Sequence, residues 1–299
     1  MRIGVMFNTE QPFDDTVAEV TSLRDAGIQA AWASQIFAYD ALTVLAVLGR
    51  EVPGIDVGTA VVPTYPRHPV MLAAQALTVQ AATGGHLTLG IGLSHQVVIE
   101  NVFGQSFDKP ARHMREYLSI LVPLLGGEQV SFSGETLRAS TFGPLQIDAP
   151  APDVLVAALG TTMLHIAGRL AAGTVTWMTG PTTVESHVVP TIRAAAAAAG
   201  RPDPQVAVGL PVCVTGDEAA ARSKAADVFV MYGQLPSYRA MLDREGAEGP
   251  ADVAIVGTAA EVKDRIRRLA EIGATDFVGA PFGSSDEIAA SVGALAELV

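Results

Sequence analysis

Short apolar runs alternate along this chain with stretches in which apolar residues recur every three or four positions. Residues 2–7 form an apolar run too short for a helix. Behind Asp14 and Asp15, placed as helix openers, Val17, Val20, Leu23 and Ala26 then repeat at helical spacing up to Gly27. The same couplet recurs. Residues 30–34 precede a helix opened by Asp40 with Leu42, Leu45 and Leu48 on one face. Residues 55–62 lead through a Pro-rich loop to a helix over 69–83, with Pro69 in its first turn. Residues 86–91 lead through a long loop to a helix from about Lys109 to Leu125.

The rhythm breaks at 127–150, where Val130, Phe132 and Leu137 around Ser133-Gly134 predict a small inserted hairpin. It resumes with strands at 154–158 and 174–178, followed by helices from Thr161 to Ala172 and from about Thr183 to Ala199. A strand at 206–214 precedes helical sequence from Asp217 that can break at Gly233 or Pro236. Thr258 and Glu261 have capping-box spacing at the head of a helix reaching Ile272. A strand at 275–280 and a helix from Ser285 end the series. Segment 232–256, long and rich in Gly and Pro, reads either as a lid or as a fixed surface excursion.

Eight apolar strands, each followed by helix, predict an α/β protein. A single (β/α)8 TIM barrel over 1–299 with a hairpin insertion at about 127–150 fits better than a doubly wound sheet. The length agrees, since such a barrel takes about 250 residues. Composition narrows the partners. Lys and Arg number 19 against 31 Asp and Glu, a formal charge of −12, which argues against nucleic acid or an anionic membrane as partner. The single cysteine, Cys213 in LPVCVTG, excludes an internal disulfide and reads as an inert core thiol. No stretch has the layout of a membrane span or a signal peptide, so a cytoplasmic enzyme is expected.

Working residues of such a barrel lie at the C-terminal ends of its strands. Those ends supply Asn8, Gln35, Val61 to Thr64, Gly92 to His95, Leu159 to Thr162, Trp177 to Thr179, Thr215, Pro281 and Phe282. One histidine stands among them, with no Asp, Glu, Lys or Cys. The six histidines show no metal-binding spacing, so no metal is expected. Paired carboxylates for glycoside chemistry and a serine-nucleophile elbow are both missing. A small, apolar rim suits a flat cofactor that carries the chemistry itself. At Leu159-Gly160-Thr161-Thr162 a strand runs into a helix whose first N–H groups could hold a phosphate, although an ordinary Thr-capped turn has the same sequence. Leu89 to His95 lacks the third Gly of a dinucleotide fingerprint.

Three blocks in order carry a family resemblance. They are GTAVVPTYPRHPVMLAAQALTVQAATGGHLTLGIG, then FDKPARHMREYLSILVPLLGG with Arg112 and Glu116, then AALGTTMLHIAGRLAAGTVTWM. Together they resemble the luciferase-like monooxygenase family, and most closely its actinobacterial branch dependent on coenzyme F420. The resemblance implies an F420-dependent oxidoreductase that moves a hydride between the deazaflavin and a small organic substrate. An FMN-dependent monooxygenase stays open as the alternative, and a cofactor-free binding barrel as a third reading. By position, it implies an irregular strand end with a cis peptide at Ala60-Val61 backing the cofactor ring. It also implies cofactor contacts at Leu93, Ser94 and His95, a phosphate turn at Leu159, Gly160, Thr161 and Thr162, and a homodimer through helices near 40–85. After the second strand the chain has Ser34-Gln35-Ile36-Phe37 where several relatives carry an acidic residue followed by His. An acid–base pair therefore does not carry over there. His95 and Gln35 are left as the candidate catalytic side chains, His95 as proton shuttle or structural histidine and Gln35 as hydrogen-bonder to cofactor or substrate.

Overall fold

The computed structural model describes all residues, 1–299. In chain order the elements are β1 (Arg2–Met6), α1 (Phe13–Asp25), β2 (Ala30–Ala33), α2 (Ala41–Glu51), β3 (Asp56–Thr59), β4 (Val62–Pro63), α3 (Pro69–Thr83), β5 (Leu87–Gly92), α4 (Gln96–Asn101) and α5 (Pro110–Leu125). Then come β6 (Ser131–Ser133), β7 (Arg138–Ser140), β8 (Asp153–Ala157), α6 (Thr161–Leu170), β9 (Gly173–Trp177), α7 (Pro181–Thr183), a π-helical turn (Val184–Val188) and α8 (Val189–Ala198). The last third holds β10 (Gln205–Val214), α9 (Glu218–Val228), α10 (Val230–Gln234), α11 (Pro236–Glu245), α12 (Pro250–Val253), β11 (Ile255–Gly257), α13 (Ala259–Glu271), β12 (Asp276–Pro281) and α14 (Ser285–Ala296).

All barrel pairings are parallel, and they close. β1 pairs β2, β2 pairs β3, β3 and β4 pair β5, and β5, β8, β9, β10 and β12 follow in turn until β12 returns to β1. This is the (β/α)8 barrel, with the small β6–β7 hairpin inserted between α5 and β8. No helix is long and apolar enough to cross a membrane.

Trp32 fills the barrel interior. Its indole lies between β1 and β3, where a Cβ on Gly4 or Gly58 would stand 2.5 Å from the ring. Ala30, Leu155, Val175, Ala207 and Val278 pack around it. One layer higher, strand alternation sets Met6, Ala60, Gly92, Ala157, Gly209 and Ala280 beneath the open mouth. The hairpin is pinned by one buried carboxylate. Glu116 of α5 accepts from the backbone N–H of Glu135, Thr136 and Leu137 at 2.8–2.9 Å and from the Thr136 hydroxyl.

Several sequence readings need correction. Asp14 and Asp15 lie in the first turn of α1, which starts at Phe13 after Pro12. Segment 232–256 is no irregular loop: it folds into most of α10, then α11, α12 and a short strand, β11, that extends the edge of β10. The helix from Asp217 stops at Val228, before either expected break. The long loop after β5 carries α4.

Candidate active site

The mouth is built around an interruption in the third barrel strand. Between β3 and β4 the Ala60–Val61 peptide is cis, as the resemblance implies. On the β5 side the strand pairing is interrupted there, while Ala60 N still donates to Ala33 O of β2 at 2.8 Å, and the Thr59 side chain fills the gap toward β5. Its hydroxyl donates to Gly90 O at 2.7 Å and accepts from Gly90 N at 2.8 Å. Gly90 and Gly92 are required by close approach: a Cβ on Gly90 would strike the Thr59 carbonyl, and one on Gly92 would lie 2.6 Å from the Val61 side chain. Ser94 and Met178, at the ends of β5 and β9, hold positive φ of 61° and 53°, a conformation that disfavours non-glycine residues. Two of the three non-glycine residues with positive φ thus lie at the mouth, the third being Lys109 at the head of α5.

His95 follows Ser94 at the head of α4, half-buried, with its ring tilted against Tyr238 at 5.7 Å. Burial lowers its pKa, so the imidazole is neutral at pH 7. Gln35 also reaches the rim, but its carbonyl oxygen is committed. It accepts from Ala41 N at 2.7 Å, at the start of α2, and from Arg67 at 3.3 Å. Arg67 is paired with Asp40, and its carbonyl accepts from the Tyr117 hydroxyl at 2.8 Å. Gln35 therefore positions the β2–α2 connection, which leaves His95 as the one imidazole at this rim.

The opposite rim is the Leu159–Thr162 turn. No side chain caps α6, whose first intrahelical bond runs from Leu164 N to Gly160 O. Gly160, Thr161 and Thr162 are exposed, and a Cβ on Gly160 would meet nothing within 4 Å. The next helix start contrasts with it. There Glu245, from the end of α11, accepts from Thr182 N at 3.0 Å and Thr183 N at 2.7 Å. One helix N-terminus is thus filled by the protein's own carboxylate and the other stands open to an anion.

A third wall is aromatic. Trp177, Tyr232 and Tyr238 stand edge to face, with centroids 5.9 and 5.1 Å apart, and Phe229 packs on Trp177 at 6.1 Å. Burial raises the pKa of both tyrosines, which stay neutral. The sequence places Trp177 at a strand end and allows segment 232–256 as a lid or a surface excursion, but no motif singles out Tyr232 and Tyr238 within it. His187, buried behind the Leu159 carbonyl, lies away from the strand ends and in no metal-binding spacing, so no sequence signal points to it. No group of three or more His, Cys, Asp or Glu is placed to hold a metal. Cys213 is buried, as expected, with its thiol pushed up to about 11.

The arrangement can seat a flat ring on a floor of small residues, take a phosphate at the open helix end and present one neutral imidazole. Comparison with known proteins agrees with that shape. A family model described as luciferase-like monooxygenase matches residues 1–276. The 5,10-methylenetetrahydromethanopterin reductase of Methanolobus tindarius is 26% identical, over 96% of both chains. Among solved structures, the coenzyme F420 dependent tetrahydromethanopterin reductase of Methanopyrus kandleri superposes with a TM-score of 0.84 at 22% identity, covering 100% of this chain and 98% of that one. The FMN complex of the oxygenating constituent of 3,6-diketocamphane monooxygenase from Pseudomonas putida gives 0.77 at 17% identity, with the same coverage.

Proposed function

The chain belongs to the luciferase-like monooxygenase family, and from that premise we propose that it is an F420-dependent oxidoreductase acting on a small organic substrate. Among the relatives named, the curated reductase matches from end to end, and the solved reductase with the higher TM-score is F420-dependent. The observation that carries the reading is the uncapped, exposed α6 N-terminus on a rim of small residues, with no carboxylate among the strand-end residues. These residues fit a phosphate-bearing ring cofactor. When bound, such a deazaflavin supplies hydride chemistry at its C5 position.

The chain's own residues do the rest. Gly160, Thr161 and Thr162 hold the phosphate by backbone N–H groups and the positive end of the α6 dipole. Ala60, Val61, Leu93 and Ser94 back the ring, and Leu159 flanks its tail. His95, neutral and otherwise without a hydrogen-bond partner, is the group that holds or moves a proton beside the substrate. Trp177, Tyr232 and Tyr238 exclude water from that side. The homodimer belongs to the same proposal: α3 carries no charged residue, and of its three exposed residues Met71 and Ala81 are apolar beside Thr78, as expected of a helix that a second copy covers. A cytoplasmic location accords with the single buried cysteine.

FMN-dependent oxygenation is the second reading, favoured by the likeness to the FMN-bound structure. Anaerobic oxidation of reduced F420 by a panel of enones and quinones tests the first. Oxygen uptake with reduced FMN, and none of that oxidation, would replace it with the second.

A further inference from the structure

Three carbonyls, one near the end of β8 and two in the connection to α6, are held from behind by side chains of the neighbouring βα unit. The buried Thr174 hydroxyl on β9 donates to Val156 O at 2.8 Å and lies 3.4 Å from Ala158 O. The next carbonyl, that of Leu159, lies 2.8 Å from His187 Nε2. A carbonyl can only accept, so this ring nitrogen carries a proton and donates. His187 is buried, 7% exposed, in the π-helical turn Val184–Val188 that joins α7 to α8. Single π-turns of this kind recur at functional sites.

In a planar trans peptide the C=O and the following N–H point in opposite directions. The Leu159 carbonyl is drawn inward to His187, so the Gly160 N–H, in the same peptide plane, is turned outward. That N–H finds no backbone acceptor. It lies beside the uncapped first turn of α6, whose Thr161 and Thr162 are exposed. We infer that His187 is a positioning residue for the cofactor phosphate: by holding Leu159 O it aims the Gly160 N–H at the anion. The inference rests on the phosphate-bearing cofactor proposed above, whether F420 or FMN. His187 touches no ligand itself.

The test compares ligands with and without the phosphate: F420 against its phosphate-free deazaflavin chromophore, and FMN against riboflavin. Dissociation constants are measured by fluorescence for the wild type, for His187→Phe, which keeps an aromatic ring but no donor, and for His187→Gln, which keeps a donor. His187→Phe should weaken the phosphate-bearing ligand about tenfold, the size of one ordered hydrogen bond lost, and leave the phosphate-free partner within about twofold. His187→Gln should recover most of the loss. Equal weakening of both members of a pair, or no weakening, overturns the inference.

Nuclear magnetic resonance of the wild type gives a second readout that needs no variant to fold. The Gly160 amide should shift with the phosphate-bearing member of a pair and stay in place with the phosphate-free one. An unmoved Gly160 amide overturns the inference. A wild-type preference for the FMN pair alone would remove the F420 reading and leave the role of His187 standing. Equal affinity within both pairs removes His187 from the account, because no phosphate then rests on the turn.

Discussion

Single residues in this chain act mostly by the space they leave. Gly4 and Gly58 leave room for the Trp32 indole, so Gly58→Ala would force a Cβ to 2.5 Å from the ring. Overpacking of this kind costs about 1–3 kcal/mol, a loss that thermal unfolding should show as a lower melting temperature. Gly160 leaves room for something outside the protein. A side chain there meets no protein atom, so Gly160→Val should fold normally and bind the phosphate-bearing cofactor much more weakly; unchanged affinity would remove the turn from the site. His95→Ala should lower turnover by roughly 10²–10⁴-fold with cofactor affinity nearly unchanged. Near-normal turnover would confine His95 to a structural role. Gln35→Ala, by contrast, removes the oxygen that holds Ala41 N and Arg67. It should act on binding by loosening the head of α2, read as a raised KM with kcat little changed.

Elements in this barrel are joined by carboxylates that accept backbone N–H groups, and these joints were invisible in the sequence. Glu116 binds the hairpin. Burial disfavours its ionised form, but the Thr136 hydroxyl and three backbone N–H groups outweigh that and hold its pKa down to about 2. A depressed carboxylate contributes stability that is complete above its ordinary pKa near 4.5 and is lost as pH falls toward 2. Glu116→Gln should therefore abolish that acid-side dependence and destabilise by about 1–3 kcal/mol, since an amide meets several donors with one acceptor. Acid titration of the melting temperature checks it. Glu245 ties α11 to the start of α7. Glu245→Ala should free the aromatic wall, seen as faster hydrogen exchange over residues 230–245, while β1 and β2 exchange as before. The hairpin and most barrel strands were legible because period-two and period-3.6 patterns report burial directly. Helices α11 and α12 were not: the segment mixes Gly, Pro and charge, and α11 is stabilised by Arg239 reaching Ala247 O and Glu248 O, contacts that no periodicity announces.

At the scale of the whole molecule, closing eight strands brings Ala60, His95, Gly160 and Trp177 from distant parts of the chain to one mouth. The barrel was readable from the alternation of strand and helix, and its rim from the strand ends. The rim's third side was not, because Tyr232 and Tyr238 lie in an excursion whose path over the mouth depends on tertiary packing. The mouth is proposed to hold a phosphate-bearing deazaflavin. Equilibrium titration of the purified protein with F420 and FMN in competition tests it most directly. The expected result is saturable binding of F420 at one site per chain, with FMN displacing it only in large excess. Preferential, saturable binding of FMN, or binding of neither, would contradict it.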